Sequence, residues 1–126
     1  MKVEHIAVAS NSEAESDKFF TELLGLNKIR SFTVSEDLME QFFGVNKEHQ
    51  LIRYEGGNMS FEIIITNDKT KCNDKFTHVS LLVDDKENFI KKASSLGFTT
   101  IKIPRKNSEG FYYFVRDYFR NLYEIK

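Results

Sequence analysis

Two histidines and two glutamates recur at matched positions in the two halves of the chain. His5 and His78 are each the third residue of a strand-like segment, in VEHIAV and FTHVSLLV. Glu62 and Glu124 lie in the last apolar segment of each half, in FEIII and YEIK. Imidazole nitrogen with carboxylate oxygen suits Zn, Ni, Co, Mn or Fe(II) better than Ca. The set therefore predicts a divalent-metal site whose four protein ligands leave coordination positions open for water or substrate.

Glu62 is the most unusual of the four, because FEIII surrounds its carboxylate with apolar residues. Burying such a group costs several kcal/mol unless it is paired or coordinated, and a metal ion would offset that cost. Taken singly, a strand histidine is more often a hydrogen-bonded core or surface residue, and a strand glutamate is more often exposed. The repetition favours a shared metal site. His49, which alternates with Leu51 and Arg53, is predicted to be exposed or structural rather than a fifth ligand.

The elements that must position these residues follow a β-α-β-β-β order in the first half. Ser12 and Glu15 form a capping box that predicts the start of a helix, and Gly25 is a natural stop. The turn at 56–58 predicts a hairpin. The predicted elements are strands at 2–9, 27–34, 48–55 and 59–66, a helix at 13–24, and an additional short helix at 36–43.

The second half repeats this order, which makes the chain an internal duplication. The separation from histidine to helix-ending glycine is 20 residues from His5 to Gly25 and 19 from His78 to Gly97. The predicted elements are strands at 76–83, 98–103, 111–116 and 121–125 and a helix at 86–96. We therefore expect one α+β domain of two β-α-β-β-β modules. Its parts are a first module at 1–66 with a helical insertion near 36–43, a linker at 67–75, and a second module at 76–126.

Composition excludes several function classes. With 18 basic and 19 acidic residues the net charge is −1, which argues against a nucleic-acid partner. No apolar run approaches the roughly 20 residues needed to cross a bilayer, so no membrane partner is expected. Glu4 and His5 interrupt the place where a signal peptide needs apolar residues, so we expect no export. Twelve Phe and five Tyr predict either an aromatic core or a ring-lined ligand cleft.

The remaining reactive side chains are given ordinary roles. Cys72 is the only cysteine, so it forms no internal disulfide and suits a reducing, cytoplasmic setting. We interpret it as an ordinary thiol rather than a nucleophile. Four arginines could bind an anionic group, although surface solvation is their expected role: Arg30, Arg53, Arg105 and Arg116.

The paired modules resemble the vicinal oxygen chelate superfamily, which includes glyoxalase I, methylmalonyl-CoA epimerase, extradiol dioxygenases, fosfomycin-resistance thiol transferases and bleomycin-binding proteins. The resemblance rests on VEHIAV, FEIII, FTHVSLLV and the closing FYYFVRDYFRNLYEI. Asp117, Asn121 and Glu124 fit the usual ending of the superfamily. Tyr118 and Arg120 depart from it, since they stand where Pro and Gly are common.

The order His, Glu, His, Glu is most similar to glyoxalase I, the lactoylglutathione lyase. The resemblance implies that the two modules form curved mixed sheets around a metal or ligand cleft. It also implies a metalloenzyme that isomerises a thiol hemithioacetal, or a similar vicinal-oxygen substrate, through an enediolate. It implies Glu124 as the first choice for the base and Glu62 as the second, and a homodimer as the common assembly. The set can be completed within one chain or across a dimer. The alternatives are an epimerase, a dioxygenase or a thiol transferase that also uses a metal, or a metal-free protein that binds a small molecule, as in bleomycin resistance.

Overall fold

The computed structural model describes residues 1–126, and the chain forms two compact units, Met1–Thr70 and Lys71–Lys126. Each unit contains a four-stranded mixed sheet with one parallel and two antiparallel pairings. The prediction of an α+β fold built from two β-α-β-β-β modules is confirmed. None of the helices is both long enough and apolar enough to span a bilayer.

The first unit has the strand order β1-β4-β3-β2, with β1 parallel to β4 and the other pairs antiparallel. Its strands are β1 (Ile6–Ser10), β2 (Asn27–Val34), β3 (His49–Gly56) and β4 (Met59–Ile65). Its helices are α1 (Glu13–Ser16), a π-helix at Asp17–Leu23, and α2 (Glu36–Phe43). The predicted insertion is therefore α2, which joins β2 to β3.

The helix predicted at 13–24 is divided into a short α-helical start and a wider π-helical continuation. The Ser12 hydroxyl accepts the Glu15 N–H at 3.2 Å, as the capping pattern predicts. In the π-helix the neighbouring residues Phe19 and Phe20 are both almost fully buried. The Phe20 ring lies 5.2 Å from the rings of both Tyr54 and Phe61, measured between centroids. These aromatic residues form the core of the first unit rather than a cleft.

The second unit has the strand order β5-β8-β7-β6, which repeats the order of the first. Its strands are β5 (His78–Leu81), β6 (Thr99–Pro104), β7 (Phe111–Arg116) and β8 (Leu122–Ile125), and its helix is α3 (Lys86–Ser95). The Asp85 carboxylate caps α3 by accepting the Asn88 N–H at 3.0 Å. The buried apolar residues of this unit are Leu81, Ile90, Ala93, Phe98, Tyr113, Val115, Phe119, Tyr123 and Ile125.

The first strand of each module begins later than the sequence predicts, and this affects both histidines. The parallel ladder of β1 with β4 begins at the Ile6–Phe61 pair, so His5 lies one residue before the strand. The ladder of β5 with β8 begins at the His78–Leu122 pair. A residue without a hydrogen-bonded partner strand is outside the sheet, whatever its own propensity.

Candidate functional site

In the second unit, His78 and Glu124 lie side by side. His78 Nε2 is 3.6 Å from Glu124 Oε2. His78 Nδ1 is 2.8 Å from the carbonyl oxygen of Phe76, and because a carbonyl only accepts, Nδ1 must be the donor. In a neutral ring this leaves the lone pair on Nε2, the atom that faces the carboxylate. The pair therefore presents one imidazole nitrogen and one carboxylate on the same surface.

Glu124 is largely buried and has one cationic neighbour, Lys126. Its side chain is 18% exposed, and Lys126 Nζ lies 3.6 Å from its Oε1. The residue opposite Glu124 on β7 is Phe114, whose ring makes an edge-to-face contact with His78 at 6.2 Å. Lys126 is mostly exposed, so this ion pair is weak by itself.

In the first unit, His5 and Glu62 correspond in position to His78 and Glu124, although His5 lies one residue before its strand. Glu62 pairs with Ala7 across the parallel ladder, as Glu124 pairs with Ser80. His5 precedes Ala7 by two residues, as His78 precedes Ser80. The duplication seen in the sequence is therefore kept in the strand pairing. The Glu62 side chain is only 15% exposed, although it lies on a strand between two buried apolar residues.

His5 and Glu62 are not in direct contact, because two other side chains connect them. Arg53 Nη1 donates to Glu62 Oε2 at 3.5 Å. Arg53 Nη2 donates to Glu4 Oε1, and the other oxygen of Glu4 accepts from His5 Nδ1. Two hydrogen bonds, a larger contribution from Arg53 and a smaller one from His5, lower the pKa of Glu4 below its usual value. His5 is thus linked to Glu62 through a carboxylate and a guanidinium.

Arg53, which contacts Glu62, is the residue whose surroundings the sequence analysis predicted wrongly. The expectation of surface solvation is wrong for Arg53, which is 8% exposed. Its Nε donates to Glu55 at 2.9 Å and to the Ser60 hydroxyl at 3.1 Å. A signal was present, because a hairpin with a tight turn at 57–58 pairs Gly56 with Met59 and therefore position 53 with Glu62. Of the other arginines, Arg30 and Arg105 are exposed and Arg116 is half-buried.

His49 and Cys72 lie away from these pairs. His49 is half-buried at the start of β3, and its Nδ1 is 2.8 Å from the carbonyl oxygen of Lys47. Cys72 is half-buried and free, and its thiol donates to the carbonyl oxygen of Asp74 at 3.8 Å. Neither residue has a hydrogen bond or an ion pair to His5, Glu62, His78 or Glu124.

A turn built on Asp117 leads into the strand that carries Glu124. Asp117 Oδ1 accepts the Asn121 N–H, and its Oδ2 accepts the Asn121 amide, each at 2.9 Å. The Tyr123 hydroxyl also donates to Oδ2, at 3.2 Å. Burial raises the pKa of Asp117 to about 6, although these hydrogen bonds act in the opposite direction. Arg120 adopts the left-handed conformation with φ 71°, where the superfamily pattern commonly has Gly.

The donor chemistry of the two pairs fits a divalent ion. Each unit contributes one imidazole whose Nδ1 is already engaged and one largely buried carboxylate. Neither unit by itself groups three or more His, Cys, Asp or Glu side chains that could hold a metal ion. One pair alone therefore supplies only half of a four-ligand set.

Comparison with known proteins finds similarity in fold and not in sequence. No family model matches the chain, and no curated protein is significantly similar to it in sequence. A glyoxalase family protein from Enterococcus faecalis aligns with a TM-score of 0.74 at 16% identity, over 98% of this chain and 95% of that one. The trypanothione-dependent glyoxalase I of Leishmania major aligns with a TM-score of 0.74 at 19% identity, over 99% and 85%.

A fosfomycin resistance protein, FosX, from Listeria monocytogenes also has this fold. A point mutant of that protein, complexed with Mn(II) and 1S,2S-dihydroxypropylphosphonic acid, aligns with a TM-score of 0.71 at 12% identity, over 98% of this chain and 87% of that one. Glyoxalase-family proteins and FosX are both members of the vicinal oxygen chelate superfamily. The chain described here has the glyoxalase-like fold of that superfamily.

Proposed function

We propose that this protein is a divalent-metal-dependent lyase or isomerase of the glyoxalase I type. Its substrate would be a small molecule with two adjacent oxygens, such as a thiol hemithioacetal. The observation that carries the proposal is a glutamate at the same strand register in both units, with a histidine two residues before the ladder partner of that glutamate. The ligands would be His5, Glu62, His78 and Glu124, and the ion would be Ni, Zn, Co, Mn or Fe. Such an ion would supply Lewis acidity toward the substrate oxygens.

Hydrogen bonds within the chain would orient the two histidine ligands, and one of the two glutamates would remove the proton from the substrate. The Nδ1 hydrogen bonds of His5 and His78 keep Nε2 of each ring available for coordination. Glu124 is the first choice for the base that takes a proton from the carbon beside the carbonyl, and Glu62 is the second. The preference has a structural basis, since Glu62 Oε2 already accepts from the buried Arg53 guanidinium. Glu124 faces only an imidazole and an exposed lysine.

Metal content is the test of this proposal. Elemental mass spectrometry on protein purified without a metal-binding tag should find about one divalent ion per four-ligand site. His5→Ala and Glu124→Ala should lose the ion and the turnover of hemithioacetals. His49→Ala is the matched control, because the Nδ1 of His49, like that of His78, is bonded to a backbone carbonyl and His49 lies outside the proposed ligand set. No bound metal, and no uptake of Ni, Co, Zn or Mn on titration, would refute the metalloenzyme.

We further propose that the two units act as one domain in a cytoplasmic homodimer. Mass measurement by light scattering tests the dimer, and cell fractionation tests the location. Mixing His5→Ala chains with Glu124→Ala chains shows where the ligand set is completed. If it is completed between two chains, exchange of subunits restores sites in which both pairs are intact. If it is completed within one chain, the mixture stays without metal and without activity.

A second candidate function is a metal-free protein that binds a small molecule. One observation favours it: both glutamates already have a cationic neighbour, Arg53 for Glu62 and Lys126 for Glu124. A groove of about 330 Å³ beside Arg53, lined also by Ser60 and Asn58, offers space for a ligand. If the protein binds a small molecule without a metal, Glu62→Gln changes no metal content. If the protein is the metalloenzyme, Glu62→Gln abolishes metal binding and activity together.

A further inference from the structure

The first unit contains a continuous chain of four charged or polar side chains, His5–Glu4–Arg53–Glu62. The second unit has no counterpart, because Phe114 takes the place of Arg53 opposite the glutamate. There His78 Nδ1 is held by a backbone carbonyl instead of a side chain. The ring orientation of His78 thus depends on the local backbone, whereas that of His5 depends on Glu4.

Glu4 alone would be a poor support for a histidine. Its side chain is 64% exposed, so it would sample several rotamers in water. Arg53 restrains it, since the guanidinium is itself held by Glu55, Ser60 and Glu62 and is largely buried. Charge-assisted hydrogen bonds of this kind are among the stronger ones in proteins. The carboxylate is therefore oriented with one oxygen toward Arg53 and the other toward His5.

We propose that Glu4, held by Arg53, is a positioning residue that keeps His5 in the Nδ1–H tautomer with its Nε2 lone pair free. A carboxylate can only accept, so the ring nitrogen that faces it must carry the proton. A neutral histidine side chain in water favours the opposite tautomer, with the proton on Nε2. The inference rests on the proposed function only in its consequence, which is that this tautomer presents His5 Nε2 to the metal ion.

The test begins with the metal-free protein. Long-range ¹H–¹⁵N correlation spectra of the ¹⁵N-labelled chain at pH 8 report which ring nitrogen is protonated, and His5→Ala assigns the signals. We expect the Nδ1–H form for His5 in the wild type. In Glu4→Gln the amide has one acceptor oxygen, which the charged Arg53 takes, so its NH₂ group faces His5. The tautomer should then change to Nε2–H, and Glu4→Ala should give the same result by removing the acceptor.

Glu55→Gln is the matched control, because it removes a carboxylate from the same guanidinium without touching His5. It should leave the His5 tautomer unchanged and the affinity for Co(II) or Zn(II) within about twofold of wild type. Glu4→Gln should weaken that affinity by about 10–100-fold, as is typical when a group that supports a ligand is removed. The spectra of His78 should be the same in all of these proteins.

The outcomes separate this inference from the proposed function. If His5 is in the Nε2–H form in the wild type, or if both Glu4 variants leave the tautomer unchanged, the positioning role of Glu4 is overturned even when metal binds. If the tautomer changes as expected and no chain takes up metal, the role of Glu4 toward His5 is supported and the metalloenzyme fails. If the tautomer changes while the wild type and Glu4→Gln bind metal equally well, the stated consequence for coordination is overturned.

Discussion

Asp117 offers a test of how burial changes stability with pH. The carboxyl group is almost fully buried in the turn before β8, and its hydrogen bonds to Asn121 and Tyr123 do not fully replace hydration. Its pKa in the folded protein is about 6, against 3.8 for an ordinary aspartate. A proton therefore binds more tightly to the folded chain than to the unfolded one. Protonation of this group favours folding, and ionisation opposes it.

The size of the effect follows from the two pKa values. A rise from 3.8 to about 6 corresponds to about 3 kcal/mol of differential stability, since one pKa unit equals about 1.4 kcal/mol. The stabilising effect of the proton is complete below about pH 3.8 and is lost as the pH rises through 6. Asp117→Asn removes the ionisation. The asparagine amide has only one acceptor oxygen, so some of the donors on Asn121 and Tyr123 lose their acceptor, at a cost of about 1 kcal/mol.

Urea unfolding of the wild type and Asp117→Asn from pH 4 to pH 7.5, followed by tyrosine fluorescence, measures the prediction. We expect the variant to gain about 2 kcal/mol relative to the wild type across that range, and to be the more stable protein at pH 7.5. Asp74→Asn is the control, because hydrogen bonds from Thr77 lower the pKa of Asp74 below its ordinary 3.8. The stabilising effect of that carboxylate is lost only as the pH falls through its lowered pKa, so the difference between this variant and the wild type should stay nearly constant from pH 4 to pH 7.5. A constant difference between Asp117→Asn and the wild type would refute the reasoning.

Three further substitutions test local features of the fold. Arg120→Gly should raise the free energy of unfolding by ~0.5–1 kcal/mol, because glycine adopts φ 71° without strain; a lower urea midpoint would contradict this. Tyr54→Phe should cost about 1 kcal/mol by removing the hydrogen bond to Asp17 Oδ1 at 2.7 Å, as measured by thermal unfolding; an unchanged melting temperature would mean that the bond is replaced by water. Ser12→Ala should cost about 1 kcal/mol and speed hydrogen exchange at the Glu15 amide, and equal exchange rates would show that the cap is dispensable.

The sequence alone determined the duplication and the order of the elements. Apolar alternation, capping residues and helix-ending glycines are local signals, so they predicted the β-α-β-β-β modules, the inserted helix and the hairpin. The matched positions of the histidines and glutamates were also visible, because a repeat can be detected from one chain. Whether the two pairs hold one ion stays a prediction.

Only the tertiary structure decided what surrounds the first pair. Glu4 and Arg53 are 49 residues apart, and no local pattern says that they meet. They are brought together because β1 joins β4 as a parallel partner while β3 joins the other side of β4. The local hairpin register places Arg53 beside Glu62. The approach of Glu4 to that guanidinium depends on the pairing of β1 with β4, two distant segments, so the connection from His5 to Glu62 is evident only in the folded chain.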